Sequence, residues 1–113
     1  MATERLIKRL EGWAMAFTVE WNLTGSETGD FAMQVDANDR SIQIDGVFAG
    51  GSASVEGSND GFSWYVLNDP QGNPLTFSTP RLEAILEMTS FIRVKSSGVT
   101  SIKAVMYVRG QVN

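Results

Sequence analysis

Whatever chemistry this chain of 113 residues performs is done without histidine or cysteine, because neither occurs. That removes the commonest general base, the commonest metal ligand and every thiolate. Serines are frequent, but a serine nucleophile needs a base within hydrogen-bonding reach, and nothing in the sequence places a lysine to act as one. Carboxylates remain. The run Asp36-Ala37-Asn38-Asp39 invites a calcium reading. The EF-hand pattern then requires an oxygen ligand where Arg40 stands and a glycine where Ser41 stands, so it fails, and turn formation accounts for the residues. Glu83 and Glu87 are four apart, on one face if the segment is helical, where two acids can share a proton. An exposed helix face explains them as well, and no partner group is evident. The expectation is a non-enzymatic protein with no catalytic residue, no metal and no cofactor.

The aromatic residues offer binding rather than catalysis. Trp13, Trp21, Trp64 and Tyr65 are candidates for a sugar-stacking platform. Trp21 and Trp64 fall on the apolar faces of alternating segments, which favours core packing. Tyr65 points opposite to Trp64 and is the better surface candidate. Trp13 lies between the first two elements, placed to pack under an N-terminal arm. Phe48-Ala49-Gly50-Gly51 reads as a barrel corner or an exposed contact loop, with the glycines favouring the bend.

The elements that must carry these residues are mostly strands. In Met15 to Leu23, Met15, Phe17, Val19, Trp21 and Leu23 alternate with Ala16, Thr18, Glu20 and Asn22, the signature of a half-buried antiparallel strand. Phe31, Met33 and Val35 make a shorter piece. Ile42, Ile44, Gly46 and Phe48 share a face; after Gly50-Gly51, so do Ala53, Val55 and Gly57. Asn59-Asp60-Gly61 is the strongest hairpin signal, with a return through Phe62, Trp64 and Val66. Asn68 to Pro74 is a loop, Leu75 to Phe77 and Phe91 to Lys95 are strands, and Ile102 to Arg109 is the last strand. Two helical pieces are expected. Thr3 to Leu10 has Thr3 as a cap, Gly12 as a stop, and Leu6, Ile7 and Leu10 on one face. Thr79-Pro80 opens the second, with Leu82, Ile85 and Leu86 following. The reading is therefore all-β: an antiparallel β-sandwich or barrel, jelly-roll-like, of about seven to eight short strands. A short N-terminal helix or arm occupies residues 1–12, one domain occupies 13–113, and a short helix lies near 80–87. Exposed contacts to other proteins are expected at Leu6, Ile7, Leu10, Trp13, Phe48 and Tyr65.

Composition agrees with a single globular domain: 42% of residues are hydrophobic and 19% charged, which argues against global disorder. A chain of this size hides roughly two-thirds of its unfolded surface, so help from partners would be useful. No apolar run approaches the roughly 20 residues of a membrane span, and the first residues lack the apolar core of a secretion signal, so Sec-type export is not expected. Net charge is −4, unevenly spread. Between Glu20 and Asp60 the acids are Glu20, Glu27, Asp30, Asp36, Asp39, Asp45, Glu56 and Asp60, against Arg40 alone. After Glu87 only bases occur: Arg93, Lys95, Lys103 and Arg109. A solvated surface without pattern is one explanation, and head-to-tail complementarity between subunits is another. Four dispersed bases in an acidic domain are a poor nucleic-acid footprint.

The turns and strand edges between residues 39 and 95 resemble a family of small tailed-bacteriophage virion proteins, often encoded near the major capsid protein. The segments are Asp39-Arg40-Ser41-Ile42-Gln43, Gly46-Val47-Phe48-Ala49-Gly50, Glu56-Gly57-Ser58-Asn59-Asp60-Gly61 with Trp64, and Leu67-Asn68-Asp69-Pro70-Gln71-Gly72-Asn73-Pro74-Leu75-Thr76-Phe77, continuing through Glu83 and Glu87 to Ile92-Arg93. The resemblance covers half the chain. It implies a structural role in the virion: a capsid decoration or cement protein that binds the major capsid protein on the outer shell, forms a homo-oligomer (dimer or trimer), and contacts neither nucleic acid nor membrane. It would be found on the capsid surface, and in the host cytoplasm during assembly. A neck, tail or fibre component of the virion, and a carbohydrate-binding β-sandwich module, are the alternatives.

Overall fold

The computed structural model describes the backbone of residues 2–3, 5–9, 16–33 and 37–110, and the side chains of residues 18–32 and 39–109. Expectations placed on Leu10, Trp13, Met15, Val35 and Asp36 lie outside these. The described strands are β1 (Ala2–Thr3), β2 (Arg5–Arg9), β3 (Ala16–Gly25), β4 (Thr28–Gly29), β5 (Ala32–Met33), β6 (Ala37–Val47), β7 (Ser52–Ser58), β8 (Tyr65–Val66), β9 (Thr76–Phe77), β10 (Arg81–Ala84), β11 (Phe91–Ser97) and β12 (Val99–Gly110). They form two sheets packed as a sandwich. One is a regular antiparallel sheet in the order β10-β6-β12-β3-β2. The other has β11 and β7 at its centre, with the two-residue strands β4 and β5 on the β11 side and β8 and β9 on the β7 side, and β1 added parallel to β4.

The expected alternation produces the core. Val19, Trp21 and Leu23 of β3, Ile42 and Ile44 of β6, and Ala104, Met106 and Val108 of β12 point inward and are buried. Ala53 and Val55 of β7 and Ile92 and Val94 of β11 meet them from the opposite sheet. Each such Val, Leu or Ile contributes about 1.5–3 kcal/mol by leaving water. Leu67, Leu75, Phe77 and Ile85 close one side of the sandwich. The chain passes between sheets at Phe48–Gly51, where the Gly51 N–H donates to the Phe48 carbonyl at 2.7 Å and Gly50 takes a φ of +83°. This is the corner that the two glycines foretell. Phe48 is turned into the core, 5% exposed, and so is not a surface contact.

Two expectations are corrected. Arg5–Arg9 is a strand, not a helix: β2 pairs antiparallel with β3, Leu6 opposite Glu20 and Ile7 opposite Val19. A two-turn helix is marginal alone, whereas the edge of β3 offers a row of backbone partners. Arg81–Ala84 is likewise a strand, in register with Ser41–Ile44 of β6. The edge of β6 wins over the weak local preference for a helix started by Pro80.

The uneven charge in the sequence is balanced within one chain, because the topology lays the basic C-terminal strands on the acidic ones. Arg93 of β11 binds Glu56 of β7 at 2.8 Å, Lys103 of β12 lies 3.6 Å from Glu20 of β3, and Arg109 of β12 binds Asp39 of β6 at 2.6 Å. These are cross-strand pairs; the part-buried Arg93–Glu56 pair stabilises by a few tenths of a kcal/mol up to about 1 kcal/mol, and the solvent-exposed pairs contribute less.

Candidate functional site

On β11, Ile92, Val94 and Ser96 face the core, so Phe91, Arg93 and Lys95 face outward. Glu56 of β7 stands opposite Arg93 on the same outer face. Phe31, just before β5, is 46% exposed and meets the Phe91 ring edge-to-face, with centroids 5.1 Å apart and planes at 85°. Trp64 lies over the same face: its ring is 6.3 Å from Phe31, tilted by 41°, and the Arg93 guanidinium carbon sits 4.1 Å from its centroid. The Arg93 Nε–H donates to Glu56 Oε1 at 2.8 Å, which fixes the guanidinium under the indole. Stacking of this kind contributes about 0.5–2 kcal/mol where water is partly excluded.

The loop that carries Trp64 is held by its own polar groups. The hairpin signal at Asn59-Asp60-Gly61 does mark a reversal, since β8 pairs antiparallel with β7, but the connection runs over residues 59–64 and is not a two-residue turn. Asp60 Oδ1 accepts from the Ser58 hydroxyl at 2.9 Å and from the N–H groups of Phe62 and Ser63 at 2.8 and 2.9 Å. The N–H of Ser63, then that of Phe62 and the Ser58 hydroxyl, hold the Asp60 carboxyl below the usual carboxylate range. Gly61 takes a φ of +81°, a conformation that costs glycine little. The Ser90 N–H donates to Asn59 Oδ1 at 3.1 Å, tying the loop to the segment before β11. Phe62, at the tip, is 89% exposed, and Tyr65 on β8 is 71% exposed. Tyr65 also walls an open depression of about 430 Å³ with Asn59, Asp60, Ser63 and Thr89.

A second polar assembly lies where β6, the loop after β8 and the segment after β10 converge. Arg40 is 5% exposed, and its Nη2 donates to the Glu87 carbonyl. Burial lowers the guanidinium pKa, and the nearby Glu87 carboxylate opposes that. Arg40 Nε and Nη1 have no hydrogen-bond partner among the described residues. Burial works against the charge on Glu87, yet its carboxylate accepts from the Asn68 N–H at 2.7 Å and Asn68 Nδ2 at 2.6 Å, and its pKa falls below the ordinary value. This cluster clamps three segments together. Glu83 does not join it; its carboxylate binds Arg81 at 2.8 Å, so the two glutamates four apart serve separate purposes. Among the described residues no group of acids is arranged to hold a metal ion.

Of the residues expected at the surface, Tyr65 lies beside the aromatic face, Leu6 and Ile7 lie on the edge strand β2, and Phe48 is in the core. Trp64 is half-buried against Phe31 and Arg93 instead of in the core expected for it. The residues that sequence reasoning passed over are Phe31, Phe62, Phe91 and Arg93. Their parity on the strands was readable for Phe91 and Arg93; that the loop of residues 59–64 would bring Trp64 back over them was not. The rings are mutually tilted, and one face of Trp64 is taken by a guanidinium. That geometry does not offer the coplanar aromatic platform a sugar ring stacks on. It has the aromatic-plus-arginine composition of protein contact surfaces.

No family model matches the chain, and no curated protein does. Among solved structures the sandwich is similar to the SPBc2 prophage-derived protein YomS, with a TM-score of 0.65 at 8% identity over 84% of this chain and 95% of that one. It is also similar, more distantly, to a cupin domain from Bordetella pertussis, with a TM-score of 0.51 at 5% identity over 99% of this chain and 98% of that one. At these identities the likeness is one of fold: a two-sheet β domain of about this size.

Proposed function

We propose that this chain is a non-enzymatic virion structural protein of a tailed bacteriophage, of the capsid decoration type, which adheres to the outer shell and bridges neighbouring subunits of the major capsid protein. The observation that carries this reading is the part-exposed cluster of Phe31, Trp64, Phe91 and Arg93, together with Phe62 standing open at the tip of the adjoining loop braced by Asp60. Rigid aromatic anchors beside an arginine are what a protein partner buries most profitably, because little conformational entropy is lost on docking. The segments between residues 39 and 95 that resemble small virion proteins, and the fold shared with a prophage-derived protein, support a phage context.

The mechanism is mass action. A copy that binds assembled shell better than loose subunits shifts the equilibrium toward the closed shell, and many modest contacts add up over a particle. The protein acts on the virion surface and waits in the host cytoplasm during assembly, as a small oligomer without cofactor, nucleic acid or membrane. The test is sedimentation of heads lacking this protein after incubation with the purified chain. Bound copies comparable in number to the major capsid protein are expected, and Phe62→Ala or Arg93→Ala should weaken binding by about tenfold or more, as for central anchors. A copy number far below that of the major capsid protein would assign the chain to the neck, tail or fibre. No association with any virion part would overturn the proposal.

A further inference from the structure

The regular sheet ends at β10; among the described residues no strand pairs with the far side of Arg81–Ala84, and the edge is covered from Leu86 on, where the N–H donates to the Asn68 carbonyl at 2.9 Å. Exposed edges are usually blunted by lysine, by an internal proline or by a bulge. β10 carries no lysine, internal proline or bulge, but it is short and two of its four residues (Arg81, Leu82, Glu83 and Ala84) are charged, so it resists an unmatched strand and admits one that sets opposite charges against it. Its two apolar residues, Leu82 and Ala84, are both exposed. Leu82 is 62% exposed, and Leu86 and Met88 just beyond are each 53% exposed. We propose that this edge is a self-association surface, on which β10 of a second copy of this chain adds antiparallel about a two-fold axis through Leu82.

The register follows from the residues. The Ile85 N–H donates to the Arg40 carbonyl at 3.1 Å, so the odd-numbered residues of β10 turn their backbone groups toward β6 and Leu82 and Ala84 turn theirs outward. Centring the pair on Leu82 gives reciprocal hydrogen bonds between the two Leu82 backbones. Each Ala84 N–H then reaches the Pro80 carbonyl of the second copy. Pro80 has no N–H to offer, which ends the ladder there. In this register Arg81 faces Glu83 of the second copy, twice, at non-hydrogen-bonded positions where side chains lie closest, and Leu82 packs on Leu82. A two-fold centred on Arg81 would oppose two arginines, and one centred on Glu83 would oppose two carboxylates. Arg81 already binds Glu83 in its own strand and lies 4.7 Å over the Phe77 ring, so its guanidinium is held at the edge with donors to spare.

The inference stands on the edge strand alone and holds whether or not the chain binds a phage head. Sedimentation equilibrium of the full chain from micromolar to millimolar concentration should show a monomer–dimer equilibrium. Glu83→Arg sets arginine against Arg81 at both ends of the two-fold and should weaken the dimer by about tenfold or more. Adding Arg81→Glu to that variant restores the opposite charges and should restore the dimer. Because the chain has no cysteine, Leu82→Cys should form a disulfide between copies under mild oxidation, while Val47→Cys, at a position of similar exposure, should not at the same rate. Circular dichroism checks that each variant keeps its strands, and the cysteine pair decides the matter if a charge variant does not fold. A wild-type chain that stays monomeric at millimolar concentration, a Glu83→Arg variant that dimerises as well as wild type, or equal cross-linking at positions 82 and 47 would overturn it.

Discussion

The two sheets divide the labour of the molecule. The sheet of β10, β6, β12, β3 and β2 is long-stranded and regular, and its outer face is occupied by cross-strand ion pairs such as Glu20 with Lys103 and Asp39 with Arg109. The sheet around β7 and β11 is broken at both flanks into two-residue strands, and the loops between them carry Phe31 and Trp64 to its outer face and leave Phe62 open to solvent. Long ladders supply cooperative stability, while short strands joined by side-chain-braced loops leave room for aromatic residues that the core does not need. The difference teaches that the aromatic residues reach the surface where regular pairing stops, while the apolar residues exposed on the long sheet, Leu82, Leu86 and Met88, lie at or just beyond its edge strand.

That contrast can be broken most severely from within the regular sheet. Trp21 of β3 is fully buried, and its indole N–H donates to the Asp30 carbonyl at 2.7 Å. Trp21→Ala should cost about 3–5 kcal/mol, a large share of the roughly 5–15 kcal/mol that holds a domain folded, as read by thermal denaturation. The clamp of Arg40, Asn68 and Glu87 is the next most sensitive place. Glu87→Ala removes the acceptor of both Asn68 donors and the charge facing Arg40, and a loss of about 2–3 kcal/mol in urea denaturation is expected.

Acid should separate the two regions. The Asp60 carboxyl, held by the N–H groups of Ser63 and Phe62, and the Asp69 carboxyl, held first by the Asn73 N–H and also by that of Gln71, both have lowered pKa values. A group whose folded pKa is depressed stabilises the fold fully above its unfolded value of about 3.9, and that contribution fades as pH falls through the lower folded value. The loops of residues 59–64 and 68–74 should therefore loosen only below about pH 4. Tryptophan fluorescence should report the change near Trp64 before circular dichroism reports loss of the long sheet, and Asp60→Asn should remove the pH dependence of that early step. Simultaneous loss of both signals would show that the two regions melt as one. The mildest change is Phe62→Ala: the side chain is 89% exposed, so stability should move by no more than about 0.5 kcal/mol, and any effect on binding to shells is then an effect on contact.

Much of the fold was legible. Strict alternation in β3, β6, β7 and β12 named the core faces correctly from Val19 to Val108, and the paired glycines after Ala49 marked the passage between sheets. The helices expected at Thr3–Leu10 and near 80–87 were misread for one reason. Both are short amphipathic stretches whose backbone groups find partners on a neighbouring strand edge, and that edge is remote in sequence. The aromatic site was half legible. Phe91 and Arg93 fall on the outward parity of their strand, but Trp64 was assigned to a strand that the braced loop replaces, and the wrong parity sent it to the core.

By itself the sequence determined the class of fold, the inward residues of the long strands, and a chemistry without imidazole or thiol, because period-two patterning and residue types are local properties of the chain. Tertiary structure alone decided which strand edges are covered, that the acidic and basic halves of the chain neutralise one another, and that Phe31, Trp64, Phe91 and Arg93 meet. Those outcomes depend on contacts between residues tens of positions apart, such as Glu56 with Arg93 and Asp39 with Arg109, and no window of sequence contains both partners.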